Sequence, residues 1–267
     1  MPADYYKQHW IDIEPERHAA YDQILAFHPA MEPLIRPLEL RTGLRVLDVG
    51  SGPGHTTFEL ARRVSPGGRV TGIDINAEFV ERSCARAREQ QLSVEFVHAA
   101  FPPLPFPDSS FDRIYCKNVL EYVDSAVDTV AEMARVAAPG AIVVATDSDW
   151  EMLALDIGEE ARELSDKVLA AAKSIAVKEP RIGRRLRGIF LGAGLSDVRA
   201  EIIAGADTAG RSLPMLKASL ARYARDSRKV GTEEVARWLS LVEDAIVAGR
   251  FLFVLPQFVV RGTKTSP

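Results

Sequence analysis

Residues 46–57 read Val-Leu-Asp-Val-Gly-Ser-Gly-Pro-Gly-His-Thr-Thr, and this stretch decides the fold. Residues 45–49 are a short, largely apolar run that predicts a buried strand, and residues 56–63 predict a helix. Three glycines lie between them, where the backbone can take positive φ or approach a ligand closely. The helix that follows directs free N–H groups and its positive end at the loop. The stretch therefore predicts a strand–loop–helix unit that holds a polar or anionic part of a nucleotide-like ligand.

The rest of the chain repeats this strand–helix alternation. Further strands are predicted at 69–74, 94–98, 111–117, 141–147, 198–203 and 251–261. Helices are predicted at 77–90, 125–136, 159–175, 181–193, 215–225 and 232–247. Repeated strand–helix pairs with nearly continuous apolar strands are typical of an α/β fold, in which helices cover both faces of a parallel sheet.

The glycine spacing excludes two common nucleotide loops. A dinucleotide fingerprint needs G-x-G-x-x-G, but His55 or Thr57 stands at the third glycine position, depending on the starting glycine. A phosphate-binding P-loop also fails, because no Gly-Lys-Ser/Thr follows. The remaining pattern is D-x-G-x-G-x-G, beginning at Asp48. A tight turn without a ligand stays open as the simpler explanation.

This pattern resembles motif I of the class I S-adenosylmethionine-dependent methyltransferases, and the resemblance continues along the chain. The predicted second strand ends in Asp74, and residues 104–112 and 117–123 are similar to the family's segments before and after strand four. Pro139-Gly140 precedes strand five. These landmarks cover roughly residues 40–147. The resemblance implies a Rossmann-like, doubly wound sheet of seven strands. It is mostly parallel with an antiparallel last strand, and a helical cap lies over its carboxyl edge.

The resemblance also implies a cofactor, S-adenosylmethionine, with S-adenosylhomocysteine as product, and a set of binding residues. The loop glycines would line its methionine part and Asp74 would hold the ribose hydroxyls. Other positions would contact the adenine or close the pocket. The full set is Asp48, Gly50, Gly52, Gly54, Asp74, Ile75, Ala100, Phe101, Lys117 and Asn118. Many relatives carry an aspartate where this chain has Ala100, so adenine recognition there must use backbone groups or another side chain.

Ligands of open α/β sheets bind beyond the carboxyl ends of the strands, which places the substrate near the ends of strands four and five. Asp149 could bind or deprotonate a substrate there, or could cap the next helix. His18 is the histidine that we would test as a general base. The substrate-side candidates are aromatic, and each could instead be an ordinary packing residue: Tyr6, Trp10, Tyr122 and Trp150.

Three stretches fall outside the predicted cofactor-binding sheet. We expect residues 1–38 to form an N-terminal helical lid and residues 39–267 to form the methyltransferase domain. Residues 150–180 and 204–250 are expected to be helical cap insertions on the substrate side. No repeat, low-complexity tract or Ser/Gly linker divides the chain, which favours a single elaborated domain.

Composition restricts the class of partner. The 267 residues include 33 Lys plus Arg and 37 Asp plus Glu, a net charge of −4, which disfavours a nucleic-acid partner. Two cysteines cannot form a disulfide framework, and no signal sequence or apolar stretch of about 20 residues is visible, so we expect a cytoplasmic protein without a membrane partner. No group of residues has metal-ligand spacing, so no metal is expected. The sequence does not determine the oligomeric state.

The expected function is transfer of the methyl group of S-adenosylmethionine to an oxygen or nitrogen atom of a small molecule by in-line displacement. Two alternatives remain open. A repurposed family member could bind the cofactor and catalyse a different reaction or none. A nucleotide-dependent oxidoreductase would share the sheet but needs the glycine spacing that this chain lacks.

Overall fold

The computed structural model describes residues 4–11 and 13–265. In this part of the chain a seven-stranded sheet has the strand order β3-β2-β1-β4-β5-β9-β7, and a separate two-stranded sheet pairs β6 with β8. The strands are β1 Arg45–Val49, β2 Arg69–Asp74, β3 Val94–His98, β4 Phe111–Lys117, β5 Ala137–Ser148, β6 Ala154–Asp156, β7 Leu195–Ile203, β8 Leu252–Val254 and β9 Gln257–Lys264.

Helices precede, connect and follow these strands. They are α1 Tyr5–Ile11, α2 Pro15–Ile24, α3 Glu32–Ile35, α4 His55–Val64, α5 Ala77–Glu89, α6 Ala126–Val136, α7 Arg162–Ala176, α8 Ile182–Gly192, α9 Leu213–Met215, α10 Arg222–Asp226 and α11 Thr232–Val247. A π-helical segment, Leu216–Ala221, joins α9 to α10. None of the helices between residues 4 and 265, the undescribed residue 12 aside, is long and apolar enough to cross a membrane.

The strand directions confirm the predicted fold class. β1 pairs in parallel with β2 and β4, and β5 continues the parallel set beside β4. The last strand, β9, lies antiparallel to both β5 and β7. The sheet is therefore mostly parallel with an antiparallel last strand, as the resemblance implied.

Hydrophobic side chains alternate between the two faces of the sheet, as the two-residue period of a strand requires. On β4, Ile114 and Cys116 pack in a buried cluster with residues of α6 and α8. Tyr115, between them, packs in the opposite cluster with residues of α4. Helices thus cover both faces, which makes the sheet doubly wound.

A further buried cluster begins where β5 ends. It joins Trp150 to residues of α7, the π-helical segment, α10 and α11, with Trp238 fully buried at its centre. The strand predicted at 251–261 is wrong as a single element, because it divides into β8 and β9 around Pro256. Proline has no N–H to donate to a sheet ladder, and β8 pairs instead with β6, which the sequence did not predict.

Candidate active site

The loop after β1 is held against β2, and its glycines serve different purposes. The N–H groups of Gly50 and Ser51 donate to the carbonyl of Ile73 at 2.8 and 3.0 Å. A Cβ atom on Gly50 would lie 2.1 Å from Cγ2 of Val119, so the packing requires glycine there. Gly52 has φ +52° and open space around it, with no atom nearer than 3.9 Å to a built Cβ. Gly52 therefore leaves the tip of the loop free of side-chain atoms.

Gly54 is explained by packing rather than by a ligand. Its φ is +81°, and a Cβ atom would lie 2.8 Å from Oγ of Ser83 and 2.9 Å from Cζ of Phe96. Gly54 does not line the cavity described below. Its position at the start of α4 lets that helix pack closely on its neighbours.

Asp48 fastens the end of β1 to α4. Its carboxylate is buried and accepts a hydrogen bond from the Thr57 hydroxyl at 2.6 Å. Burial raises the pKa of Asp48 to about 6, while the Thr57 hydrogen bond and the charge of Lys117 act in the opposite direction. The carboxylate lines the same cavity as the loop.

Asp74 closes the loop from the end of β2. One carboxylate oxygen accepts from the N–H of Gly52 at 2.7 Å, and the other accepts from the N–H of Asn76 at 2.8 Å. Burial raises the pKa of Asp74, and these backbone donors oppose that shift. The N–H of Ile75 also acts on the carboxylate, which has about four lone-pair positions and so keeps acceptor capacity beyond its backbone donors. The pair of oxygens suits two neighbouring hydroxyl groups.

A cavity of about 260 Å³ opens between this loop, the end of β2 and the exit of β4. Eight of the ten residues predicted to bind the cofactor line it: Asp48, Gly50, Gly52, Asp74, Ile75, Phe101, Lys117 and Asn118. Ala100 is exposed and does not line it. Four lining residues have a buried polar atom without a hydrogen-bond partner among the described residues: Nε1 of Trp10, Oγ of Ser51, the Tyr115 hydroxyl and Oδ1 of Asn118. The cavity lining thus contains polar atoms whose hydrogen-bonding capacity is unused.

The remainder of the cavity has aromatic walls, among them Trp10, Tyr21, Tyr122, Trp150 and Tyr223. The ring of Trp10 lies 5.0 Å from that of Tyr21 and 5.3 Å from that of Tyr122, centroid to centroid. Three of the four predicted substrate-side residues are in this wall.

The fourth, Tyr6, does not line the cavity. Its hydroxyl donates to Asp124 at 2.9 Å. Trp150 lines the cavity and is also buried in the packing. It therefore fits both sequence-based interpretations, a substrate-side residue and a packing residue.

Sequence reasoning missed Glu121, which lies in the exit of β4. Glu121 is 1% exposed, lines the cavity and accepts a hydrogen bond from Nε1 of Trp150 at 2.5 Å. Burial raises the pKa of Glu121 to about 7, with the Trp150 hydrogen bond and the charge of Lys117 opposing the shift. The available signal was an acidic residue inside the otherwise apolar run 119–123.

The two candidate general bases lie outside the cavity. His18 is buried with its Nε2 atom 2.9 Å from a carboxylate oxygen of Glu78. Asp149 is fully buried and accepts a hydrogen bond from the Arg184 guanidinium at 2.7 Å. It precedes the short helical turn Trp150–Met152, but its side chain makes no capping hydrogen bond. Glu78 and Arg184 are distant in sequence from the residues that they pair with, so residue spacing does not predict these pairs. Neither side chain is placed to meet a substrate in the cavity. Among the residues that the structure describes, no three acidic, histidine or cysteine side chains are grouped to hold a metal ion.

Comparison with known proteins agrees with this geometry. Residues 47–145 match the family model described as "Methyltransferase domain". A 37.1 kDa protein of transposon Tn4556 from Streptomyces fradiae is 35% identical over 170 residues, 61% of this chain and 46% of that protein. A demethylmenaquinone methyltransferase of Staphylococcus aureus is 33% identical over 120 residues, 45% of this chain and 49% of that protein. The matches span about half the length of these curated relatives.

A solved structure shows the same fold. Phosphoethanolamine N-methyltransferase 2 of Haemonchus contortus, in complex with S-adenosyl-L-methionine, superposes with a TM-score of 0.63 at 16% identity. The superposition covers 98% of this chain and 60% of that protein.

Fold, site and family match together identify the class. Residues 47–145 match a methyltransferase domain, and the chain has the fold of the class I S-adenosylmethionine-dependent methyltransferases. The cofactor of this family is S-adenosylmethionine. The described residues fit it, because Asp74 offers two acceptors for a ribose, Gly52 leaves space at the loop, and Ser51 and Asn118 offer unpartnered polar atoms.

Proposed function

We propose that this chain transfers the methyl group of S-adenosylmethionine to an oxygen or nitrogen atom of a small-molecule acceptor by in-line displacement. One observation carries the proposal. A single cavity joins the remaining acceptor capacity of Asp74 to an aromatic chamber that contains the buried carboxylate of Glu121. A cofactor site and a chamber for a second reactant therefore meet at the carboxyl edge of the sheet, where ligands of such folds bind.

On the cofactor side, each residue has a task that its contacts support. Asp74 would accept hydrogen bonds from the two ribose hydroxyls, and Ile75 and Phe101 would contact the adenine. Asn118 Oδ1 lacks a partner in the described residues and would accept from the methionine amino group. When bound, the cofactor supplies an already activated methyl group on a sulfonium.

On the acceptor side, the residues of the chamber would align the acceptor with the methyl group and enclose the reacting atoms. A reactant held close and in line gains most of its acceleration from proximity, so a dedicated base is optional for a good nucleophile. Trp10, Tyr122 and Trp150 would exclude water from the reacting atoms. Aromatic faces also stabilise a cation, which suits a sulfonium.

The N-terminal residues 1–38 would act as the lid of this chamber. In its described part, the carbonyl of Trp10 accepts from the Asn76 side chain at 2.9 Å. The Arg222 guanidinium of α10 pairs with Glu14 at 3.0 Å. These contacts join the segment both to the cofactor loop region and to the residues of 204–250. We propose that 150–180 and 204–250 form the cap that selects the acceptor.

A small acceptor fits the size and charge of the site. The cavity of about 260 Å³ is lined by residues of one chain, and the net charge of −4 does not favour a polyanionic partner. Two of the similar proteins are named for small acceptors, demethylmenaquinone and phosphoethanolamine.

The test has two stages. Calorimetry with S-adenosylhomocysteine measures whether the purified protein binds the cofactor product, and transfer of tritium from methyl-labelled S-adenosylmethionine into a small-molecule cell extract measures the reaction. Binding together with a labelled small molecule is the expected result. Binding without label supports the repurposed protein, and no binding contradicts the proposal. A change in nicotinamide fluorescence on titration would instead favour the oxidoreductase.

A further inference from the structure

The interior of the chamber carries more acid than base. Asp48, Asp74 and Glu121 line it as buried acidic residues. Within the described residues, Lys117 is the basic lining residue that has no ion-pair partner. Such an excess of negative charge favours cationic ligands.

The other basic lining groups have acidic partners. Lys7 pairs with Asp124 at 2.9 Å, and His55 lies 3.2 Å from Asp22. Their charges are therefore largely balanced where they lie. They do not offset the interior carboxylates.

Glu121 is the carboxylate whose position is best defined on the acceptor side. Its backbone carbonyl accepts from the N–H of Lys178 at 2.9 Å, and its side chain is held by Nε1 of Trp150. The Trp150 N–H and the Tyr122 hydroxyl both act on the carboxylate as donors, and two donors leave about two of its four lone-pair positions. In the described residues Glu121 forms no ion pair, and Lys117 acts on it only through its charge. Glu121 is therefore an immobilised acceptor with capacity left for a ligand.

The walls around Glu121 match a cation. Trp10, Tyr122, Trp150 and Tyr223 line the same chamber, and aromatic faces attract ammonium groups when water is excluded. A carboxylate in such surroundings also interacts more strongly with a cation than it would in water. Aromatic rings around one fixed carboxylate form a binding site for a protonated amine.

We propose that the methyl acceptor is a primary or secondary amine, that it binds as its ammonium ion against Glu121, and that Glu121 removes its proton. This inference rests on the proposed function. An N–H bond of the ammonium breaks, and the proton moves to the carboxylate. The freed lone pair of the amine forms the new C–N bond while the C–S bond breaks and its electron pair goes to sulfur. The product is the methylated ammonium ion, and Glu121 then releases its proton to water.

The acidity of Glu121 suits this task. A pKa of about 7 lets the carboxylate accept a proton and release it again near neutral pH. Lys117 supports the ionised form of Glu121 by its charge. A hydroxyl acceptor would not use the negative charge of the chamber in its bound ground state.

The experiment compares wild type with Glu121→Gln, which keeps the size and the hydrogen bond from Trp150 but removes the charge. Glu95→Gln is the matched control, because Glu95 is exposed on β3 and does not line the cavity. Each protein is incubated with tritiated S-adenosylmethionine and a small-molecule cell extract. The products are then separated by cation exchange, and only label that elutes apart from unreacted S-adenosylmethionine, itself a cation, is counted. Thermal unfolding and calorimetry with S-adenosylhomocysteine verify folding and cofactor binding.

We expect wild type and Glu95→Gln to place the label in the cationic fraction. Glu121→Gln should lose about 100-fold or more in rate, the scale of a lost proton acceptor. Its affinity for S-adenosylhomocysteine should change less than about threefold. The wild-type rate should rise with pH through about 7, and the variant should lack this rise.

Two results overturn the inference while leaving the proposed function intact. One is wild-type label in neutral or acidic products, which shows a different acceptor. The other is an undiminished rate in Glu121→Gln. Absence of any transfer by wild type that binds S-adenosylhomocysteine contradicts the proposed function itself, and the inference with it. Weak cofactor binding by Glu121→Gln would also overturn the assignment to the acceptor side.

Discussion

Replacing Asp74 by alanine separates its two roles, because the carboxylate holds the cofactor loop and is proposed to hold the ribose. The variant removes the acceptors for the N–H groups of Gly52 and Asn76. It also removes the remaining acceptor capacity of the carboxylate at the cavity. Binding and stability should therefore both fall, but by different amounts.

The two losses can be calculated from the hydrogen bonds. Each hydrogen bond to a charged group contributes about 1.5–3 kcal/mol, so losing two to a ribose costs about 3–6 kcal/mol of binding. This corresponds to roughly a 100-fold to 10,000-fold weaker affinity for S-adenosylhomocysteine. After the substitution, the N–H of Gly52 can donate to water in the cavity. The buried N–H of Asn76 is left without an acceptor, and this loss costs about 1–3 kcal/mol of stability.

Calorimetric titration with S-adenosylhomocysteine and urea unfolding measure the two quantities on the same protein. Asp112→Ala is the control, because Asp112 pairs with Arg45 at 2.8 Å at the opposite end of β4. That partly exposed pair should contribute about 1 kcal/mol or less to stability and nothing to binding. If Asp74→Ala binds within about threefold of wild type while remaining folded, the ribose assignment is refuted.

Three further perturbations test other parts of the structure. Gly50→Ala should lower the free energy of unfolding, measured in urea, by more than about 2 kcal/mol, because steric overlap adds to the backbone strain at φ +73°. Gly140→Ala is the control: its φ is +77° but its surroundings are open, so it should cost only about 1–2 kcal/mol. Equal losses would contradict the packing argument. Folding raises the pKa of Glu121 from 4.5 to about 7. Between these two pH values the folded state binds more protons than the unfolded state, so the free energy of unfolding should fall as the pH rises from 4.5 to about 7. Glu121→Gln should reduce this decline without abolishing it, because burial also raises the pKa of Asp48 and of Asp74. A variant with the wild-type pH profile would contradict the assignment to Glu121. Arg222→Ala, which releases Glu14, should change stability by about 1 kcal/mol or less but accelerate proteolysis within residues 1–38, and unchanged cleavage would argue against the lid contact.

Local patterns were sufficient for much of the cofactor side of the site. Gly50, Gly52 and Asp74 could be placed from the sequence because a strand, a tight loop and a helix N-terminus are determined by neighbouring residues. The same reasoning placed Gly54 beside the ligand, whereas in the structure Gly54 lies at the start of α4, outside the cavity and against Ser83 and Phe96. A glycine pattern does not distinguish close packing from close approach to a ligand, since both exclude a Cβ atom.

The acceptor side depends on contacts between distant parts of the chain. His18 and Asp149 are chemically able to act as bases, but they lie outside the cavity, where they pair with Glu78 and Arg184. Glu121 and Trp150 are 29 residues apart and form one hydrogen-bonded pair. No periodicity or motif within either segment specifies that meeting.

The sequence by itself determined the alternating strands and helices, the strand–loop–helix unit around residues 46–57 and the acidic end of β2. These features follow from hydrophobic period and backbone freedom, which act over a few residues. Only the tertiary structure decided which polar groups face the cavity and which are paired elsewhere. It also decided that residues near 10, 121, 150 and 223 share one chamber. The physical reason is that burial, charge compensation and enclosure belong to the packed chain, because they depend on neighbours that are remote in sequence.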